Sequence, residues 1–127
     1  MPRRTIFSGS KFEELAGYSR AVVDGRWILV AGTSGHHPKT GDLSDDVQEQ
    51  TRESLRTIEA ALREADSSFS DVVRVRVYVS ERDHVMPVSA VLKETFDKIR
   101  PTNTTIVTTL ADEGMKVELE VTALRRE

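Results

Sequence analysis

Two glutamates, Glu118 and Glu120, are the residues of this chain best placed to do chemistry. They sit in VELEVTAL, where Val117, Leu119 and Val121 alternate with Glu118, Glu120 and Thr122. A period of two is a strand with one apolar face, and it puts both carboxylates on the other face about 7 Å apart. Paired carboxylates can carry general acid–base chemistry. The same pair can equally complete a salt-bridge set with Arg74 and Arg76 on a solvated sheet face. Tyr18 is either a hydrogen-bonding pocket residue or an aromatic lid over the core. Of the three histidines, His36 and His37 are adjacent in a loop and His84 is distant at a helix start. Adjacent loop histidines rarely point at one ion, so they are expected to be surface polar residues and no metal site is expected. The run Gly32 to Gly35 is too short for a phosphate loop and lacks its lysine. No serine sits in a nucleophile-elbow pattern.

The elements that must position these residues follow from periodicity. Residues 1–17 carry little pattern and read as a lead-in with an edge strand at Thr5–Ser8. YSRAVVDGRWILVAG reads as two strands joined at Asp24-Gly25, a dipeptide suited to a type I′ turn. The run Trp27-Ile28-Leu29-Val30 is continuously apolar, which predicts burial on both faces, in the core or at a subunit contact. Gly32 to Leu43 is a loop. Ser44 is the expected N-cap of a helix over about Asp45–Ala65, with Asp45 and Asp46 favourable to its dipole. Its apolar stripe runs through Val47, Leu55, Ile58 and Leu62. VVRVRVYVS (72–80) alternates, with Val73, Val75, Val77 and Val79 facing one way and Arg74, Arg76 and Tyr78 the other. A second helix spans about Asp83–Ile99, with Pro87 in its first turn, where the missing N–H costs little. Pro101 ends it. Strands over about Thr104–Leu110 and Lys116–Leu124 complete a ββ–α–β–α–ββ order. Two helices cover one face of such a sheet, leaving the other to solvent or to another subunit.

Composition narrows the class. The 127 residues are 38% hydrophobic and 31% charged with net charge −3, which bounds one ordinary soluble domain over residues 1–127. A weakly acidic chain is a poor partner for nucleic acid. The basic pairs Arg3-Arg4 and Arg125-Arg126 lie near the termini and read as solvated tails. No cysteine is present, so disulfides and thiolate chemistry are absent and nothing points to an oxidising compartment. No run of about 18 apolar residues exists to span a membrane, and the N-terminus lacks an apolar signal core, so a cytoplasmic location is expected.

Four stretches assemble into a resemblance: GYSRAVVDGRWILVAG, HPKTGDLSDDVQEQTRESLRTIEAALREA, DVVRVRVYVS and RPTNTTIVTTLADEGMKVELEVTALR. Together, from about Gly17 to Arg125, they resemble the RidA/YjgF family, also labelled endoribonuclease L-PSP. The resemblance implies a chorismate-mutase-like α+β domain. It implies a homotrimer with the sheets inward and a small-molecule cleft between neighbouring subunits. Members of that family hydrolyse reactive enamines and imines such as 2-iminopropanoate to keto acids and ammonia, without a metal; no cofactor is expected. An arginine two residues after the proline grips the substrate carboxylate with its planar fork. A glutamate orients the attacking water, and a tyrosine, a serine and an asparagine line the cleft.

Residue by residue, the resemblance carries over unevenly. Tyr18 matches the tyrosine, Glu118 the catalytic glutamate, and Gly32 the glycine after the family's serine. Ala31 stands at the serine, Ser89 at the asparagine and Asn103 at the arginine. A neutral amide cannot give the charge-assisted bidentate grip of an arginine. The chain therefore resembles branches that lack the arginine. The expected cleft holds Tyr18, Ala31, Gly32, Ser89, Asn103, Thr105 and Glu118, and suits a neutral or amide-bearing metabolite better than a keto-acid imine. Hydrolysis of such a C–N metabolite is one expectation, and a non-catalytic metabolite-binding trimer is the other. Ribonuclease activity is disfavoured by the acidic charge and the lack of a basic, aromatic-lined groove.

Overall fold

The computed structural model describes residues 2–126. Six strands form one sheet in the order β1-β2-β3-β6-β4-β5. The strands are β1 (Arg4–Ile6), β2 (Ala21–Asp24), β3 (Trp27–Ser34), β4 (Val72–Val79), β5 (Thr102–Val107) and β6 (Val117–Leu124). The helices are α1 (Lys11–Ala16), α2 (Val47–Glu64) and α3 (Val85–Phe96). All neighbouring strands are antiparallel except β4 and β5, which α3 joins as a parallel crossover. This is the expected mixed α+β architecture, with α1 added after the edge strand at the front.

The core follows from alternation. Val75, Val77 and Val79 of β4 and Val117, Leu119 and Val121 of β6 are buried under α2 and α3. Helix α2 adds Leu55, Ile58, Ala61 and Leu62, and α3 adds Val88, Val91, Leu92 and Phe96. The opposite face has no covering layer among the described residues. Trp27 and Leu29 are each 49% exposed there, while Ile28 and Val30 are buried. The apolar run at 27–30 is thus not buried on both faces: the strand splits it between core and open face.

Several local expectations need correction. Residues 11–16 form a helix rather than a featureless lead-in. Ser10 caps it by accepting the Phe12 amide at 3.2 Å, and Gly17 closes it with φ +73°. β1 pairs over Arg4–Ile6 rather than 5–8. The β2–β3 turn has Gly25 and Arg26 at its centre, and of the two only Gly25 has positive φ, as a type II′ turn needs; it is not type I′. The α2 cap is Asp46, which accepts the Gln48 amide, while Ser44 accepts the Asp46 amide one step earlier. Val73 does not join the core. A register shift between Val72 and Arg74 turns it outward and buries Val72 instead. β5 starts at Thr102, two residues earlier than expected. Arg3, Arg4 and Arg126 are exposed, as expected, though Arg3 bridges Asp24 at 2.9 Å on the surface and the Arg125 amide donates to the Arg26 carbonyl. No helix among the described residues is long and apolar enough to cross a membrane.

One buried polar side chain fixes the approach to β6. Gln50 on α2 is fully buried; its Nε2 donates to the Ser44 and Gly114 carbonyls at 2.6 and 2.9 Å, and its Oε1 accepts the Lys116 amide at 2.9 Å. Replacing it removes the partner of three part-buried backbone groups at once. Gln50→Ala is expected to lower unfolding stability by roughly 3 kcal/mol, read as a fall in the urea midpoint with unchanged slope.

Candidate functional site

The site begins with an irregularity in β3. The β3–β6 ladder pairs Val30 with Val121 and then Thr33 with Leu119, so Ala31 and Gly32 together face Glu120. Two residues against one is a β-bulge, a device that re-aims side chains. Here it brings the Gly32 backbone under the Glu118 carboxylate so closely that a Cβ on Gly32 would collide with Glu118 Oε2. Glycine is the residue that permits this approach.

A buried ion pair props the bulge from behind. Glu13 and Arg20 are 4% and 5% exposed. Arg20 Nε donates to Glu13 Oε2 at 2.9 Å, and Nη1 donates to the Gly32 carbonyl at 2.8 Å and to Thr33 Oγ1 at 3.1 Å. Glu13 is further satisfied by the Ser8 amide and hydroxyl. The Arg20 guanidinium lies 5.4 Å from the Tyr18 ring centre, and Nη2 donates to the Tyr18 hydroxyl at 3.4 Å. Four of its five N–H groups have partners, so this buried cation serves as a scaffold element.

These residues open onto a cavity of about 530 Å³. Tyr18, Arg20, Gly32 and Glu118 form its polar wall, with Ser34, His36 and Asp112 beside them. Phe12, Leu15 and Met115 form an apolar one. Glu118 is half-buried and its pKa is raised: partial burial is the main cause, Glu120 adds to it, and Arg20 opposes it. A carboxylate with raised affinity for protons beside a water-accessible cavity is suited to act as a base. Glu120 points to the same face but is otherwise engaged. It accepts the Tyr78 hydroxyl at 3.0 Å and lies 3.9 Å from Arg76, and the Tyr78 phenol is pushed up chiefly by that hydrogen bond. The two carboxylates thus divide: Glu120 belongs to the ion-pair reading, Glu118 to the cavity.

The remaining expected residues lie elsewhere. Ser89 and Asn103 share a separate groove of about 340 Å³ between α3 and β5, together with Arg100. Asn103 pairs with core-facing Val75 in the parallel ladder, which sets it on the helix side of the sheet edge. Thr105 donates to Asn103 Oδ1 at 3.0 Å but does not line that groove. Arg100, with φ +57°, folds back onto Asp97 at 3.0 Å while still lining that groove. Ala31 lines neither space; its amide donates to the Arg20 carbonyl. Within one chain, then, Tyr18, Gly32 and Glu118 are brought together and Ser89 and Asn103 are not brought to them.

Sequence reasoning passed over Glu13, Arg20, Ser34 and His36. A signal for the first existed: Ser10 followed by Glu13 is a capping pattern that starts a helix. His36 is not a surface loop residue, since its side chain is only 13% exposed and meets the Phe12 ring edge-on at 5.7 Å. No group of three or more His, Asp or Glu side chains suited to a metal ion occurs among the described residues.

This bulged sheet with its cavity-facing glutamate defines a known class. Residues 8–125 match the family model for Endoribonuclease L-PSP, and the chain belongs to that family, the RidA/YjgF family. Among solved structures, Rv2704 from Mycobacterium tuberculosis, of the YjgF/YER057c/UK114 family, superposes with a TM-score of 0.88 at 42% identity over 97% of this chain and 99% of that one. The RutC family protein PYRAB12510 of Pyrococcus abyssi is 29% identical over 98% of this chain and 99% of its own length. The 2-iminobutanoate/2-iminopropanoate deaminase of Salmonella typhimurium is 25% identical over 97% and 98%.

The contact between Gly32 and Glu118 makes a separable prediction. The colliding atom is the end of a flexible side chain, so Gly32→Ala is expected to fold with a thermal midpoint within a few degrees of the native chain. The carboxylate is displaced, however, and binding of any cavity ligand should weaken at least about tenfold. Calorimetry and ligand titration on the same sample check both halves.

Proposed function

We propose that this chain forms a homotrimer in which the cavity of one subunit meets the Ser89–Asn103 groove of its neighbour, closing a small-molecule cleft. The cleft hydrolyses a small enamine, imine or related C–N metabolite other than the usual 2-imino acids. Glu118 carries the reading: its carboxylate is half-buried, its pKa is raised, and it faces a cavity beside Tyr18. As a base it takes a proton from water as the water oxygen attacks the C=N carbon. Asn103, supplied by the neighbouring subunit, orients the substrate by hydrogen bonding, with Thr105 holding its amide. The step needs no metal and no cofactor.

Two observations support the assembly, and a third supports the chemistry. The uncovered sheet face exposes Trp27, Leu29 and Val73 among polar residues, a surface suited to a symmetric contact. The expected cleft residues split between two spaces of one chain. The deaminase from Salmonella typhimurium aligns over nearly the whole chain. The substrate class rests on Asn103, because without a guanidinium at that position the carboxylate of a 2-imino acid loses its charge-assisted anchor. That same loss favours the second reading, a trimer that binds a metabolite without turning it over. The ligand in either case is a small metabolite rather than nucleic acid, in line with the net charge of −3.

Freshly generated 2-iminopropanoate tests the reading, with release of pyruvate and ammonia as the measurement. The native chain is expected to be silent and Asn103→Arg to gain activity that Glu118→Ala then removes. Full activity in the native chain would show that the arginine is dispensable and sink the proposed substrate class.

A further inference from the structure

Beside Glu118 the cavity holds a second chain of polar groups that the reading above does not use. Ser34 Oγ lies 2.7 Å from His36 Nδ1, and His36 Nε2 lies 3.4 Å from Asp112 Oδ2. All three line the Glu118 cavity. Asp112, on the loop between β5 and β6, sets a carboxylate oxygen beside Nε2 as a charge contact, on the far side of the ring from Ser34. That leaves Nδ1 to exchange a proton with the serine hydroxyl. The ring is held in place by the edge-on contact with Phe12, and Ser34 Oγ is fixed by the His36 amide at 3.3 Å. Ser34 is paired directly opposite Glu118 in the β3–β6 ladder. Opposed residues project to the same face with Cβ atoms about 5 Å apart. The hydroxyl end of the relay therefore stands next to the carboxylate.

We propose that Asp112, His36 and Ser34 form a proton relay that is the second acid–base device of this cavity, delivering a proton to the substrate nitrogen while Glu118 removes one from water. The catalytic part of this assignment rests on the hydrolytic reading above. In the addition step, the water oxygen bonds to carbon and one water proton passes to the Glu118 carboxylate. The Ser34 hydroxyl proton passes to the nitrogen, and Ser34 is refilled from Nδ1–H of the His36 imidazolium. The product is a neutral carbinolamine beside protonated Glu118 and neutral His36. In collapse, the carbinolamine hydroxyl proton returns through Ser34 to His36. The amine takes the proton from Glu118 and leaves as ammonia, and both groups are restored. The other charged groups lining the cavity are Lys11 from α1 and Arg20 ahead of β2. Arg20 is paired with Glu13, and Asp112 is the carboxylate that meets the His36 ring.

Working catalysis then needs Glu118 ionised and His36 protonated, giving a bell-shaped pH profile. The acidic limb belongs to Glu118, whose pKa is raised from the ordinary glutamate value by partial burial. The basic limb belongs to His36 and is lost as pH rises.

Two measurements test the relay. The first needs no substrate: long-range proton–nitrogen NMR of the native chain, with His36→Gln to assign the ring among the three histidines. The expected result is a neutral ring protonated on Nε2, with a titration that shifts in both Asp112→Asn and Ser34→Ala. A ring that titrates identically in all three proteins overturns the relay. The second is the pH–rate profile on two probes, 2-iminopropanoate with the Asn103→Arg chain and the neutral imine of pyruvamide with the native chain. Ser34→Ala is expected to lower the rate at least about tenfold and to abolish the basic limb while leaving the acidic limb, and Ser34→Thr to restore both. An unchanged basic limb in Ser34→Ala overturns the proposal. If neither probe is turned over, the hydrolytic reading fails and the catalytic role falls with it, while the ring spectra still decide whether the hydrogen-bonded relay exists.

Discussion

The buried ion pair between Glu13 and Arg20 is the constraint on which the site depends. Removing both charges from water is costly, and their attraction offsets that cost only when the remaining donors and acceptors are satisfied. Here they are. Glu13 collects Ser8 and Arg20, and Arg20 spends its other N–H groups on the Gly32 carbonyl, Thr33 and Tyr18. One pair thus ties three segments together: helix α1, the chain leading into β2, and the bulge of β3. Leaving either charge unpaired in such a place costs about 3–5 kcal/mol. The geometry under Glu118 is accordingly as rigid as the pair itself.

That rigidity explains how two glutamates on one strand face come to differ. Glu120 meets Arg76 and the Tyr78 hydroxyl on the open sheet face and behaves as a structural anion. Glu118 stands two residues along from the one opposite the bulge, across from Ser34, with its carboxylate turned back over Gly32. Its near cation, Arg20, is already committed to Glu13, so burial outweighs attraction and the proton affinity rises. The bulge supplies room for a carboxylate by putting Gly32 beneath it, and the cavity supplies access for water and a small molecule. The same end of β3 carries Ser34 and leads to His36, so one short segment, LVAGTSGHH, brings two further polar side chains to the cavity that Glu118 enters from β6.

Much of this was legible in the sequence, and the failures have physical reasons. The alternating valines of β4 and β6 and the stripe of α2 gave the sheet and its covering helices, because burial on one face leaves a strict period. The family resemblance grouped Glu118, Tyr18 and Gly32, and the structure brings these three to one cavity. The bulges at Ala31–Gly32 and Val73 were not legible, since an extra residue in a ladder leaves no mark on hydrophobic alternation when both neighbours are apolar or small. The ion pair of Glu13 with Arg20 was hidden because a buried charge looks like a surface one until its partner is known. His36 was misjudged for a related reason: a loop histidine is usually solvated, and only the packing of Phe12 against it gives it a role. Ser89 and Asn103, read as part of one cleft, lie in another groove of the same chain, which is what a cleft shared between subunits requires.

The central claim is that Glu118 is the proton-accepting group of a working cavity, and carboxyl carbon NMR measures that most directly. With the side-chain carboxyl of Glu118 assigned by comparison with Glu118→Gln, its chemical shift is followed as pH is varied. The account predicts a midpoint clearly above those of the other glutamates, moving down when Glu120 is replaced by Gln, because burial and a neighbouring negative charge both hold the proton on. A Glu118 that titrates with the surface carboxylates, indifferent to Glu120, would mean a solvated side chain on an open sheet face, and the account of this cavity as an acid–base site would be wrong.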